Sequence, residues 1–215
     1  MIDLMDRSEL VYIALGSNVG SARTAMTDAV ARLRSLPDPS LEGVSRLYRT
    51  RPVGPVAQDD FLNAVVAIRV AAAPEPAEAA MALLDTLKGI ERSMGRRERE
   101  RWGPREIDLD LLLFGAHRLR VQRAAATRSR DPARPGGRWL EVPHPAAQAR
   151  FFVLAPLADL APDLVPPGWT MSVTSACRRA VAVEGADAVT AIGTWDAAHA
   201  DWTDRGISGG SGGAR

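Results

Sequence analysis

The chain has 215 residues, 46% of them hydrophobic, and a formal net charge of +1 at pH 7. This composition suits one globular domain with a substantial core, and it provides no general electrostatic field that would attract nucleic acid or an anionic membrane. The single cysteine, Cys177, excludes an intramolecular disulfide, and every apolar run is far shorter than the roughly 20 residues that span a bilayer, so we expect a cytoplasmic protein.

The first part of the chain alternates between strand-like and helix-like segments. Residues 10–15 are typical of a buried strand, and the glycines of 16–20 predict a turn into a helix over 21–36. Strand composition returns over 41–50, is interrupted by a proline-containing loop, and resumes over 61–70. We expect these last two strands to pair.

A second helix and strand follow. Apolar residues recur at helical spacing at Leu83, Leu87, Ile90 and Met94. This stripe predicts a helix that ends near Gly95, and an apolar strand follows over 107–114. The order strand, helix, strand, strand, helix, strand predicts an α+β fold, a ferredoxin-like βαββαβ sandwich with a mostly antiparallel sheet and helices packed on it.

The rest of the chain has weaker signals. Residues 118–138 contain seven arginines and one acid, which predicts an exposed basic insertion, and residues 150–160 are typical of a short helix. Signals fade after the prolines at 166–167. We expect a single domain over 1–205 and a flexible glycine- and serine-rich tail over 206–215.

Two carboxylates lie one residue apart in the apolar strand, at Asp108 and Asp110. Side chains at i and i+2 of a strand project from the same face, so both would face one cleft. Mg²⁺ would offset their repulsion, because it takes one or two carboxylates from a protein and completes its shell with water and substrate phosphates. The two aspartates alone are equally compatible with an ordinary solvated strand face.

An arginine-rich loop precedes this strand, with Arg96, Arg97, Arg99, Arg101 and Arg105. Guanidinium groups bind phosphate oxygens in bidentate geometry, although the glutamates that alternate with them also allow a self-paired, solvated loop. Together, the aspartates and the arginines indicate polyphosphate chemistry.

Other residues suit a flat, base-like ligand. Three aromatic residues could stack on a planar heterocycle or pack in the core: Phe61, Trp102 and Phe152. Asn63 lies on the face of Phe61 and offers donors and an acceptor to a ring edge. His144 lies between two prolines, and Arg150 supplies another donor for phosphate.

Four segments in the same order, between about residues 10 and 167, resemble the 6-hydroxymethyl-7,8-dihydropterin pyrophosphokinase family. They are Tyr-Ile-Ala-Leu-Gly-Ser-Asn at 12–18, Tyr-Arg-Thr-Arg-Pro-Val-Gly-Pro at 48–55 with Phe-Leu-Asn-Ala at 61–64, Arg-Trp-Gly-Pro-Arg-Glu-Ile-Asp-Leu-Asp at 101–110, and Val-Pro-His-Pro at 142–145 with Arg-Phe-Phe-Val-Leu-Ala-Pro at 150–156. The ordered set is specific, above all the third segment.

The resemblance implies an ATP-dependent diphosphotransferase of tetrahydrofolate biosynthesis, which moves pyrophosphate from ATP to the pterin alcohol and releases AMP. It implies ATP as co-substrate and two Mg²⁺ ions bound by Asp108 and Asp110. The implied partners are small molecules, without membrane or nucleic acid, and a monomer is favoured.

The resemblance also assigns roles to residues. The catalytic residues that it implies are Asp108, Asp110, Arg97 and Arg105. Its pterin-binding residues are Thr50, Arg51, Val53, Phe61, Asn63, Trp102 and Phe152. Its ATP-binding residues are Glu91, Arg101, Arg105, His144 and Arg150. The chain departs from the family at Phe61, which is often tyrosine, and at Arg51, which is often proline, and the region after about 170 has no counterpart that we recognise.

Two other functions compete with this interpretation. A nucleotidyltransferase could use the same pair of aspartates but would release pyrophosphate instead of AMP. A nucleic-acid-binding module could use the basic segment 118–138, and its binding would be sensitive to salt.

Overall fold

The computed structural model describes residues 8–52, 58–96, 104–123 and 139–204. Within these ranges the strands are β1 (Ser8–Ser17), β2 (Ser40–Val44), β3 (Leu47–Thr50), β4 (Phe61–Ala71), β5 (Asp108–Phe114), β6 (Leu119–Gln122), β7 (Trp139–Val142), β8 (Val189–Asp196) and β9 (Asp201–Asp204). The α-helices are α1 (Ala22–Arg34), α2 (Pro76–Ser93), α3 (Phe151–Leu160) and α4 (Val173–Glu184). None of these helices has both the length and the apolar character needed to cross a membrane.

The main sheet confirms the predicted βαββαβ core. Its strands follow the order β5-β1-β4-β3-β8-β9, and β2 also pairs with β4. The pairs in this sheet are antiparallel. The central part, β5-β1-β4 and then β2 with β3, has the strand order of a ferredoxin-like sandwich, and β8 and β9 extend it at one edge.

Helices cover both faces of the sheet. Apolar side chains of α1 and α2, such as Met26 and Leu87, pack into a core on one face. Those of α3 and α4, such as Leu157 and Ala176, form a second core on the opposite face. Because the central strands are buried on both faces, β4 reads as a nearly continuous apolar run, with Val65 in one core and Val66 in the other.

The predicted strand over 41–50 is two strands. The predicted pairing with β4 is confirmed, but β2 ends at Val44 and β3 begins at Leu47. Between them, Ser45 Oγ accepts a hydrogen bond from Val65 N at 2.9 Å, and Arg46 N donates to Asp159 Oδ2 at 3.0 Å. With the backbone hydrogen bond from Ser45 N to Val65 O at 2.9 Å, these side-chain bonds hold the chain at the break.

The predicted basic insertion begins with regular structure. Residues of β6 pair with β7 in a small separate sheet, and Leu119 and Val121 pack against the main core. Residues 124–138 lie outside the described ranges. Alternation of apolar and polar residues in β6 was a strand signal that the high arginine content of the segment obscured.

The region after residue 170 also folds onto the sheet. Helix α4 packs against α3, and β8 pairs with β3. Trp202 of β9 is only 1% exposed, and its Nε1 donates to Ser45 O at 2.9 Å. Weak local signals therefore concealed elements that long-range contacts stabilise.

Candidate active site

A cavity of about 520 Å³ lies where the ends of β1, β4 and β5 meet the start of α3. The predicted site residues that line it are Thr50, Arg51, Phe61, Asn63, Arg105, Asp108, Asp110, His144, Arg150 and Phe152. Val53, Arg97, Arg101 and Trp102 lie outside the described residues. The structure therefore brings ten predicted positions, from five segments of the chain, around one space.

Strand register explains this convergence. Gly16 of β1 is paired with Asn63 of β4 on one side and with Asp108 of β5 on the other. A Cβ atom at Gly16 would lie 3.2 Å from Asn63 Oδ1, so the glycine leaves room for the amide. Gly16 was predicted to begin the turn, but β1 continues to Ser17 and Gly16 forms part of the cavity wall.

The two aspartates have different surroundings. Asp108 is 8% exposed and accepts hydrogen bonds from the guanidinium groups of Arg96 and Arg105. The side chain of Asp110 is 40% exposed and lies 3.6 Å from Lys88 Nζ. Desolvation raises the pKa of Asp110, but the positive charge of Lys88 and of neighbouring basic groups outweighs it and holds the pKa well below its ordinary value. Both groups are thus surrounded by cations.

Glu91 is a buried carboxylate behind this pair, only 3% exposed. Its Oε1 accepts hydrogen bonds from Leu109 N at 2.7 Å and Lys88 Nζ at 2.6 Å, and lies 2.5 Å from Arg96 Nη1. Glu91 is not among the residues that line the cavity. In the described structure Glu91 binds the backbone of β5 and the side chains of Lys88 and Arg96. Its contact with ATP stays a prediction.

Polar groups at the end of β1 hold the loops around the cavity. Asn18 Oδ1 accepts a hydrogen bond from Arg105 N at 2.7 Å, and its Nδ2 donates to Gln58 Oε1 at 3.0 Å. Ser17 Oγ donates to Glu106 O at 2.6 Å. The sequence placed Ser17 and Asn18 in a turn where they could cap the next helix, but the N-cap of α1 is Ser21. Their signal was the position of two polar residues at the end of an apolar strand, where the structure buries both.

The opposite part of the cavity wall suits a flat polar ring. Asn63 Nδ2 donates to Thr50 Oγ1 at 2.7 Å, which fixes the orientation of a buried amide. Phe61 and Phe152 are partly exposed and line the same cavity. The guanidinium carbon of Arg150 lies 5.7 Å from the centre of the Phe152 ring. Two aromatic faces and an oriented amide are a typical set for binding a heterocycle.

His144 adds a neutral donor. Its Nδ1 accepts a hydrogen bond from Ala146 N at 3.3 Å, so in the neutral ring the proton lies on Nε2. Burial lowers the pKa of His144, and the charge of Asp110 only partly opposes this shift. At neutral pH the ring is therefore uncharged and can donate one hydrogen bond from Nε2.

Sequence reasoning did not assign Lys88, Arg96 or Glu184 to the site. Lys88 extends from α2 towards the two carboxylates, Arg96 binds Asp108, and Glu184 lines the cavity from the end of α4. Arg96 was visible in the arginine-rich loop. Lys88 and Glu184 had no local signal, because helix packing alone brings them to the site.

Comparison with known proteins identifies the family. The sequence profile of the family 7,8-dihydro-6-hydroxymethylpterin-pyrophosphokinase (HPPK) matches residues 12–162. The chain is 43% identical over 157 residues to the 2-amino-4-hydroxy-6-hydroxymethyldihydropteridine pyrophosphokinase of Pseudomonas aeruginosa, covering 73% of this chain and 83% of that protein. It is 37% identical over 153 residues to the Bacillus subtilis protein of the same name, covering 71% and 78%.

Solved structures agree in fold. A crystal structure of an HPPK-DHPS in complex with substrates has a TM-score of 0.65 at 12% identity, over 91% of this chain and 48% of that chain. The wild-type HPPK-DHPS of Plasmodium falciparum has a TM-score of 0.64 at 13% identity, over 91% and 49%. The chain spans about half the length of these solved chains. At such identities the likeness concerns the fold alone, but the sequence relatives show that this chain belongs to the 7,8-dihydro-6-hydroxymethylpterin-pyrophosphokinase family.

Proposed function

We propose that the protein transfers pyrophosphate from ATP to 6-hydroxymethyl-7,8-dihydropterin, giving AMP and the pterin diphosphate in tetrahydrofolate biosynthesis. One observation carries the proposal, namely that a single cavity joins the pair Asp108 and Asp110 with basic side chains and with an aromatic and amide surface. The reaction needs a polyphosphate and a flat heterocycle side by side, and this cavity offers a surface for each.

The pterin would lie between Phe61 and Phe152, with the Asn63 amide at its ring edge. Thr50 holds this amide at 2.7 Å, so the hydrogen-bonding groups are oriented before the ligand binds. Phe61 replaces the tyrosine frequent in the family and still presents an aromatic face. Arg51, Val53 and Trp102 are proposed to complete the pterin contacts.

ATP would lie against the basic side of the cavity. Arg105, His144 and Arg150 line it and can donate to phosphate oxygens, with Glu91, Arg97 and Arg101 as further proposed contacts. Arg105 is paired with Asp108 in the described structure. We propose that it exchanges this partner for phosphate when ATP and metal bind.

The aspartates suit Mg²⁺. Among the described residues, no group of three or more His, Cys, Asp or Glu side chains converges as a complete metal cage. Two carboxylates on one strand therefore leave most positions to water and phosphate, which is the coordination that Mg²⁺ prefers. We propose that Asp108 and Asp110 hold it, and when bound it neutralises phosphate charge and orients the phosphate chain.

In the reaction, the pterin hydroxyl oxygen attacks the β-phosphorus of ATP and forms a new O–P bond. The bond between the β-phosphorus and the oxygen that bridges it to the α-phosphate breaks, AMP leaves with that oxygen, and the hydroxyl proton is released to water. The proposed contribution of the chain is positioning and charge neutralisation, with Asn63 and the two phenyl rings aligning the alcohol and Arg105 facing the phosphates. No covalent intermediate is needed.

The test is incubation of the purified protein with ATP, Mg²⁺ and the pterin alcohol, followed by chromatography of nucleotides and pterins. We expect AMP and the pterin diphosphate, both dependent on the pterin. Formation of ADP or pyrophosphate instead, or AMP formed equally without pterin, would contradict the proposal.

A further inference from the structure

Lys88 is the only lysine in the chain, and every other residue among the 27 lysines and arginines is an arginine. It lies on α2 with its side chain 20% exposed, facing β5. A lone lysine in an arginine-rich protein, placed beside two carboxylates of the candidate site, is a specific feature to explain.

The Lys88 ammonium is held in place from two sides. Its Nζ donates to Glu91 Oε1 at 2.6 Å and to Leu109 O at 2.8 Å. The same nitrogen lies 3.8 Å from Asp108 Oδ1 and 3.6 Å from Asp110 Oδ1. One fixed positive charge is therefore within ion-pair distance of both aspartates.

The geometry suits lysine better than arginine. An ammonium is a compact charge with three donors that point in different directions, whereas a guanidinium is a wide planar fork. Four oxygens from α2 and β5 surround the Lys88 nitrogen, two of them at hydrogen-bond distance. Neutralising Glu91 does not by itself require Lys88, because Arg96 Nη1 lies 2.5 Å from the same carboxylate.

We propose that the Lys88 ammonium is a built-in counter-cation of Asp108 and Asp110, which positions both carboxylates without a metal and weakens divalent-cation binding to the nucleotide-free enzyme. The inference rests on the proposed metal site at these aspartates. Lys88 is a positioning residue here, since its described contacts are with Glu91, Leu109 and the aspartates. Negative phosphates of ATP would offset its charge, so the metal binds tightly only together with the nucleotide.

The test measures Mn²⁺ binding to nucleotide-free protein by electron paramagnetic resonance of the free ion, with wild type, Lys88→Gln and Lys88→Arg. A charge about 4–6 Å from a carboxylate changes the carboxylate's affinity for a proton roughly 10- to 1,000-fold. We therefore expect Lys88→Gln to bind Mn²⁺ at least about tenfold more tightly than wild type, and Lys88→Arg no more tightly. Equal or weaker binding by a folded Lys88→Gln would overturn the inference.

Two controls make the result specific. Circular dichroism establishes that each variant is folded. In the triple variant with Lys88→Gln, Asp108→Asn and Asp110→Asn, the gain in Mn²⁺ affinity should be abolished. If the gain persists without the aspartates, the metal binds elsewhere and the inference fails.

Labelling with ¹⁵N-lysine provides an independent readout, because the chain has a single lysine ammonium. We expect its signal to shift when Mg²⁺ and a non-hydrolysable ATP analogue are added together, and to change far less with Mg²⁺ alone. Saturation by Mg²⁺ alone at the same concentration would contradict the proposed competition. Neither experiment measures turnover, so a chain that binds metal in this way but forms no AMP would overturn the proposed function and leave this inference standing.

Discussion

At the scale of single residues, the aspartate pair depends on simple strand geometry. Asp108 and Asp110 project from the same face of β5, while Leu109 between them is fully buried. The burial of Leu109 holds the strand in a register that presents both carboxylates to the cavity. Their chemistry can therefore be tested by changes that keep the shape of the side chain.

We expect Asp108→Asn and Asp110→Asn each to lower pterin-dependent AMP formation by at least roughly 100-fold, on the scale of losing one group that stabilises transition-state charge. The fold should survive, because asparagine keeps the volume of aspartate and its amide oxygen can still accept hydrogen bonds from the neighbouring basic groups. The measurement is the rate of AMP formation together with thermal unfolding. Asp163→Asn, at an exposed position, is the matched control. Activity near wild type in both site variants would contradict the metal assignment.

Tyr48 is a second residue with a testable environment. Its hydroxyl lies 2.9 Å from Asp159 Oδ2, and Arg46 Nη2 lies 2.5 Å from the other oxygen of the same carboxylate. Burial and then the charge of Asp159 raise the pKa of Tyr48 well above its ordinary value. The cluster ties β3 to α3, so it connects the strand that carries Thr50 to the helix that carries Phe152.

The raised pKa predicts a loss of stability at high pH. In the unfolded chain tyrosine ionises near pH 10, whereas folded Tyr48 keeps its proton to higher pH, so its contribution is complete below about pH 10 and declines as pH rises further. We expect the free energy of unfolding of wild type to fall more steeply than that of Tyr48→Phe, by up to about 1.4 kcal/mol per pH unit. Urea unfolding between pH 8 and 11 measures this. Tyr12 is present in both proteins, so its ionisation contributes equally to both. Equal slopes of the free energy of unfolding against pH in wild type and Tyr48→Phe would contradict the prediction.

At the scale of elements, the start of α3 depends on a side chain from α4. Helix α3 has no side-chain cap at its own N-cap residue, but Glu184 Oε1 accepts a hydrogen bond from Phe151 N at 3.0 Å. A carboxylate at a helix N-terminus satisfies an unpaired amide and interacts favourably with the helix dipole. Because Arg150 and Phe152 flank this amide, Glu184 helps to position two proposed ligand contacts.

We expect Glu184→Ala to lower the free energy of unfolding by about 1 kcal/mol, as for loss of a helix cap, and to weaken pterin binding several-fold. Urea unfolding and a fluorescence titration with the pterin alcohol measure the two effects. Asp187→Ala is the control for stability alone, because its ion pair with Arg51 is exposed at 73% and 72% and contributes little. A variant that loses stability but binds pterin normally would show a structural role alone.

At the scale of the whole molecule, the C-terminal strands complete the sheet beyond the part that matches the family profile. Trp202 is 1% exposed, and its ring centre lies 4.8 Å from that of Trp195 in an edge contact. Its Nε1 bond to Ser45 O satisfies the backbone at the break between β2 and β3. The C-terminal hairpin therefore stabilises the same region that carries Thr50.

We expect Trp202→Ala to lower the free energy of unfolding by about 3–5 kcal/mol, because it removes a large buried ring and leaves a cavity. Val183→Ala, at a side chain that is 81% exposed, should change it by no more than about 0.5 kcal/mol. Chemical unfolding followed by circular dichroism distinguishes them. A similar small effect in both variants would mean that β9 does not contribute to the cooperative core.

Sequence patterns predicted the order of the main elements, and the resemblance to the family predicted most of the proposed site. Apolar runs bounded by turns and loops predicted β1, β4 and β5, the glycine turn predicted the start of α1, and helical spacing predicted α2. The spacing of Asp108 and Asp110 predicted their shared face. These features depend on local geometry, in which neighbouring residues along the chain define the pattern.

Packing between helices and strands brings together the distant groups that complete the site. Lys88 reaches the aspartates because α2 packs on β5, and Glu184 reaches Phe151 because α4 packs on α3. The break at Ser45 and the burial of Trp202 likewise arise from partners far along the chain. Such contacts follow from packing and strand register, and the local composition around each residue does not encode its distant partner.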